Sequence, residues 1–157
     1  TTLFRSLKAY NPVLAACTRN AKDALEVLIK NGASLDVKSK DGITPLIFAA
    51  ANNAVDVMKY LLAVNPKLDI DVSSNSTYNA LLYAASSGSK EAVEFLLSKG
   101  ADIGYEDKNG KTALMIAMSK SKKDVVEILK KNGAKKEGLI IFLDVRILCL
   151  KKISSRL

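Results

Sequence analysis

The chain repeats itself. Four segments overlay in register: NPVLAACTRNAKDALEVLIKNGA from Asn11, TPLIFAAANNAVDVMKYLLAVNP from Thr44, NALLYAASSGSKEAVEFLLSKGA from Asn79 and TALMIAMSKSKKDVVEILKKNGA from Thr112, with starts 33, 35 and 33 residues apart. A period of this size means stacked units that each touch only their neighbours, so that stability and binding are built along a line. The place to look for function is therefore an elongated surface.

Each unit reads as two helices. In the second, Ala21, Ala24, Leu25 and Leu28 recur as Ala54, Val57, Met58 and Leu61, and as Ser89, Ala92, Val93 and Leu96. That i, i+3, i+4, i+7 spacing is one face of an amphipathic helix, which must pack on a neighbour. The first helices are richer in alanine, and small side chains let backbones approach on the inner side of a curve. The spacing predicts a shallow, concave stack.

Local motifs then carry a resemblance. Second helices close on Asn31-Gly32-Ala33, Lys99-Gly100-Ala101 and Asn132-Gly133-Ala134, and two turns read Asp41-Gly42 and Asn109-Gly110. With Thr44-Pro45-Leu46, Thr112-Ala113-Leu114 and the pairs Ala49-Ala50 and Ala84-Ala85, residues 10–137 resemble the ankyrin repeat, whose signature is a turn, T-P-L-H-x-A and two antiparallel helices. The resemblance implies an all-α repeat solenoid of ankyrin-type helix-turn-helix units joined by β-hairpin-like turns. It divides the chain into units at 11–40, 41–73, 74–106 and 107–137, with an N-terminal cap at 1–10 and an apolar segment at 138–157. Leu3, Phe4, Leu7 and Tyr10 fall at helical spacing, as either a cap or the remnant of an earlier repeat would have them.

Three departures stand out against this grid. The histidine of the signature, which in ankyrin repeats ties neighbouring turns by hydrogen bonds, is replaced by Leu14, Ile47, Leu82 and Met115, and the chain has no histidine at all. Apolar contact is expected in place of those bonds. Two residues are inserted between Leu62 and Asn79, where Asn65-Pro66 replaces the Gly-Ala ending, and proline cannot continue the helix. The third turn reads Asn75-Ser76-Thr77-Tyr78, without the glycine that accepts positive φ freely. Irregularity is thus concentrated between Asn65 and Tyr78.

Composition excludes several classes. Without histidine there is no Ser-His-Asp or Cys-His pair, and Cys17 and Cys149 are too few for a typical zinc site or a disulfide framework. No phosphate-cradling G-x-x-x-x-G-K-[ST] or G-x-G-x-x-G occurs. No enzyme, cofactor or metal is expected. The few cysteines fit a reducing compartment, cytoplasmic or nuclear. The start at Thr1, with no charged leader before an apolar core, leads us to expect a piece of a longer intracellular polypeptide without a secretory signal.

Net charge is +8, unevenly spread: residues 1–40 carry +4, 41–73 and 74–106 carry −2 each, 107–137 carry +5 and 138–157 carry +3. The last repeat holds Lys108, Lys111, Lys120, Lys122, Lys123, Lys130, Lys131, Lys135 and Lys136. Clustered lysines attract phosphate-rich partners. This cluster has neither arginines for bidentate base contacts nor interleaved aromatics, so nucleic acid is not the expected partner. The tail, Leu139 to Leu150, is too short to span a bilayer and is interrupted by Asp144 and Arg146. Three readings of it stay open: a cap on the last repeat, a segment that adheres to a partner or membrane surface, or boundary sequence with no evolved role.

Arrays resembling ankyrin repeats bind other proteins through the turn tips and exposed sides of the first helices. Carried to this sequence, the tips are Tyr10, Lys40, Asp41, Ile43, Asn75, Ser76, Tyr78, Lys108, Asn109 and Lys111, and the first-helix ends add Arg19, Asn52, Ser87 and Lys120. Ile43 and Tyr78 are expected to be exposed anchors, or else to pack on a neighbouring turn. The expected function is capture of an as yet unidentified protein on the concave face, by a monomer unless the tail self-associates. The alternative is an electrostatic adaptor to nucleic acid or anionic membrane through the fourth repeat and tail. An inhibitor that occludes an enzyme would use the same concave surface.

Overall fold

The computed structural model describes residues 11–134; the expected N-terminal cap, Tyr10, Lys135, Lys136, Cys149 and the apolar tail lie outside the described residues. Eight helices follow in order: α1 (Pro12–Thr18), α2 (Lys22–Lys30), α3 (Pro45–Ala51), α4 (Val55–Val64), α5 (Ala80–Ser87), α6 (Lys90–Ser98), α7 (Ala113–Ser119) and α8 (Lys123–Lys131). The odd-numbered helices stack side by side in one row and the even-numbered in another.

The first helix of each unit starts where a side chain caps it. Asn11 accepts a hydrogen bond from Val13 N, Thr44 from Ile47 N, Asn79 from Leu82 N and Thr112 from Met115 N. Each satisfies one amide that the helix leaves unpaired. Pro12 and Pro45 follow directly, at the one helical position where a missing N–H costs nothing. The second helices carry no such cap of their own. An acidic residue sits in each first turn instead, Asp23, Asp56, Glu91 and Asp124, where it offsets the helix dipole.

Three second helices end alike. Gly32 N bonds Ile29 O and Ala33 N bonds Leu28 O, and the same pair of bonds recurs at Gly100-Ala101 and Gly133-Ala134. This is the Schellman arrangement, and each glycine takes a positive φ there. α4 departs from it: Asn65 closes the helix, its side chain accepts from Lys67 N, and Pro66 turns the linker away.

The core is one continuous slab. Leu46, Ile47, Ala49 and Ala50 of α3 and Leu81, Leu82, Ala84 and Ala85 of α5 are almost wholly buried, and α4 and α6 add Val57, Met58, Leu61, Ala92, Val93 and Leu96. In α2 only Leu25 is buried; Ala24 is exposed and Leu28 half-buried, because that helix borders a single described unit. The expected second-helix stripe is therefore complete in the central units and partial in the first. At the position of the family's histidine, Leu14, Ile47 and Leu82 are buried and Met115 is half-buried.

The connecting turns close with one hairpin-like bond each: Ser39 N to Ile43 O, Ser74 N to Tyr78 O and Asp107 N to Lys111 O. No strand forms among the described residues. The expected loss of turn-to-turn hydrogen bonds needs correcting. Asn75 N donates to Asp41 O at 2.9 Å, Asn75 Nδ2 to Lys40 O at 3.1 Å, and Lys108 N to Thr77 Oγ1 at 2.9 Å. Apolar packing replaces histidine inside the stack, while asparagine and threonine tie the tips outside it.

Candidate functional site: the turn tips and first-helix face

The third turn joins the tips to the helices behind them. Ser76 Oγ lies 3.2 Å from Tyr83 Oη and 2.8 Å from Ser74 Oγ, and the rings of Tyr78 and Tyr83 meet edge to face with centroids 5.3 Å apart. Edge-to-face pairs bring the positive rim of one ring to the negative face of the other. The tip and the outer side of α5 therefore form one surface. Phe48 holds the position of Tyr83 one unit earlier, on α3, and it too is half-buried.

Ile43 and Tyr78 are not freely exposed. Both are half-buried and packed against the core, and Tyr78 is held by Tyr83. Burial raises the Tyr78 hydroxyl pKa above its ordinary value, helped by the nearby carboxylate of Asp107 and by Tyr83. Each therefore falls between the two expectations, partly exposed and partly packed on the stack. Phe48 and Tyr83 escaped the sequence reading, although their helical spacing from the capping residue contained the signal.

The polar candidates are exposed. Arg19, Lys40, Asp41, Asn52, Asn75, Ser76, Ser87, Lys108, Asn109, Lys111 and Lys120 all lie at the surface, and Tyr10 lies outside the described residues. Arg19, Asn52 and Lys120 are C-caps of their helices, with Ser87 the last residue of α5. Asn75 is partly committed, since its amide holds Lys40 O. It also explains Gly42: a Cβ there would collide with the Asn75 side chain, so the second turn needs glycine for contact as well as for its φ of 72°.

In the fourth turn Asp107 is buried, and its Oδ1 accepts from Asn109 N at 2.8 Å and Lys111 N at 2.9 Å. Burial pushes its pKa up, but the amides of Lys111 and Asn109 outweigh it, and the carboxyl stays below its ordinary range. Asp107 therefore spends its charge inside the turn. Asp71 goes the other way: burial raises its pKa, Asp102 N–H opposes this, and the charges of Asp102 and Asp69 add to the rise.

Two clefts lie elsewhere. One, of about 350 Å³, runs between the linkers 35–38 and 68–72 over Leu61 and Asn65. A wider one, of about 590 Å³, lies between α4 and α6, with Leu62, Pro66 and Phe95 in its lining and Lys59 and Lys99 at its rim. Among the described residues no group of three or more Cys, Asp or Glu is arranged to hold a metal ion. No helix among them is long and apolar enough to cross a membrane.

No curated protein matches this chain. A family model described as ankyrin repeats (3 copies) matches residues 13–107 and again 66–138. Ankyrin repeats generally mediate protein–protein interaction and are typically non-enzymatic. With paired helices, Schellman glycines and hairpin-like turns recurring along the described residues, the chain belongs to the ankyrin-repeat family.

Proposed function

We propose that this chain is a non-enzymatic protein-binding module that captures one partner on the concave face formed by the turn tips and the first helices. The observation that carries this reading is the strip at the third turn, where Ser76, Tyr78 and Tyr83 form a single polar and aromatic surface beside the exposed tips. Half-buried aromatic rings lose little conformational freedom on binding, which suits them to be energetic centres of an interface. Both clefts are lined mainly by apolar side chains, with Asp36, Lys38 and Asp69 in the first and Lys59 and Lys99 in the second. A reducing, intracellular compartment fits Cys17, a buried free thiol whose pKa burial pushes up to about 12.

The test is affinity capture with the immobilised chain, followed by the doubly substituted Ile43→Ala/Tyr78→Ala chain. Both side chains are half-buried, so circular dichroism must first show that the variant keeps its helices. Loss of capture by a folded variant supports the reading, and unchanged capture rejects it. The electrostatic alternative draws on the exposed lysines of the fourth unit, Lys108, Lys111, Lys120, Lys123, Lys130 and Lys131. Salt separates the two, because binding to an anionic polymer falls steeply with salt while a packed protein contact falls less.

A further inference from the structure

Charge is sorted between the two sides of the stack. The four first helices, α1, α3, α5 and α7, contain no acidic or basic residue. The described carboxylates lie on the second helices, in the linkers, or in the turns at Asp41 and Asp107. Asp107 is buried and engaged by backbone amides, which leaves Asp41 at one tip and Glu106, beside Gly110, as the exposed carboxylates nearest the face.

Cations flank that neutral surface. Lys40 stands at the second turn and Arg19 at the end of α1; Lys108 and Lys111 stand at the fourth turn and Lys120 at the end of α7. The side chain of Lys122 adds to the second group, reaching to Gly88 at the end of α5. Between the two groups lie Ile43, Phe48, Tyr78 and Tyr83, all half-buried. The order along the stack is cationic, apolar, cationic.

We propose that this face takes an extended acidic polypeptide segment whose carboxylates meet the two cationic flanks and whose central apolar side chain packs on the Phe48–Tyr83 strip. The assignment rests on the concave-face reading above and narrows it to one class of partner. Complementary charge steers encounter and fixes register, while the desolvated apolar centre holds the complex. A polypeptide is favoured over nucleic acid because the edge-to-face packing of Tyr78 and Tyr83 on each other restricts the ring face available for base stacking.

The experiment uses the whole chain and a short synthetic peptide with glutamates and aspartates flanking a central Leu-Phe, read by fluorescence anisotropy. The comparisons are the same peptide with Gln and Asn in place of its acids, the acidic peptide with Ser-Ser at its centre, and a single-stranded oligonucleotide of equal charge. Binding of the acidic apolar peptide, weakened about tenfold or more by each change of peptide and by Lys108→Glu/Lys111→Glu/Lys120→Glu, supports the proposal. Lys59→Glu/Lys99→Glu/Lys130→Glu makes the same charge change away from the face and should leave affinity within about twofold. Equal binding of the neutral peptide overturns the charge assignment, as does tighter binding of the oligonucleotide or equal loss in both triple variants. If neither peptide binds, the proposal is overturned too, while loss of capture by Ile43→Ala/Tyr78→Ala would still uphold the concave-face reading.

Discussion

Thr77 is the residue that gives most for its size. It occupies the place of Gly42 and Gly110 at the third turn and takes a φ of 64°, a left-handed conformation that a β-branched side chain rarely adopts. Two contacts hold it there: Lys108 N of the next unit donates to its Oγ1 at 2.9 Å, and Tyr105 Oη donates to its carbonyl at 3.1 Å. Thr77→Val keeps the strain and removes the acceptor, so it should cost about 1 kcal/mol. Thr77→Gly relieves strain of comparable size while losing the same bond, and should fall close to the parent. Urea titration of the two variants checks the order; a Gly variant less stable than the Val variant would show that the backbone is not strained. Asp107 supplies a second residue-scale test. Its folded pKa is depressed, so its contribution is present above the unfolded value near about 3.9 and lost as pH falls through the folded one. Asp107→Asn should therefore lower the Tm at pH 7, by an amount that shrinks to nothing as the melts are moved to the acid side of that window.

At the scale of elements, the link between units is an asparagine. Asn20 and Asn53 follow α1 and α3 with positive φ, and each reaches the start of the next unit's second helix. Asn20 Oδ1 accepts from Val57 N at 3.3 Å, and Asn53 Oδ1 accepts from Ala92 N at 2.9 Å; their amides donate to Asp56 and Glu91. The bond from Asn53 also holds the exposed Glu91 carboxyl below its ordinary pKa. These are helix caps supplied across the stack, and they explain why α4 and α6 carry none of their own. Asn53→Ala should cost about 1 kcal/mol. The third junction has Gly88 in this place, with a φ of 82° that an asparagine can adopt. A side chain there meets Lys122 Cδ at 2.8 Å, near the movable end of a flexible chain. Gly88→Asn should thus displace Lys122, cap α8 at Val125 N and raise the Tm, and an unchanged or lower Tm counts against the mechanism. The glycines that close the second helices were legible in the sequence because donor and acceptor are near neighbours in it. The asparagine clamps were not, since their partners lie 37 and 39 residues on and only stacking brings them together. The candidate face divides in the same way. The resemblance to ankyrin repeats placed Lys40, Asn75 and Lys108 at the tips, but the half-burial of Tyr78 depends on the ring of Tyr83.

At the scale of the whole molecule, a linear array has no single stability. Each unit is held by its own helix pair and by the neighbours it touches, so protection against local opening should follow the number and quality of its junctions. Units two and three have neighbours on both sides, and their second helices bury Val57, Met58, Leu61, Ala92, Val93 and Leu96. The second helices of units one and four bury much less among the described residues: Leu25 alone in α2, and Val125 and Leu129 in α8. The asparagine clamps sharpen this difference, because they bind unit one to two and unit two to three, whereas Gly88 leaves the junction to unit four without one. Amide hydrogen exchange should therefore be slowest in α3 to α6 and faster in α8. The contrast between α8 and α6 should narrow in Gly88→Asn and widen no further in Asn20→Ala, which acts at the opposite end. Uniform protection across α3 to α8 would mean that the array opens as one unit and that the missing clamp has no energetic consequence. Graded protection places the opening unit under Lys108, Lys111 and Lys120, so an acidic segment bound across the face should slow exchange in α8 as well as at the tips it touches.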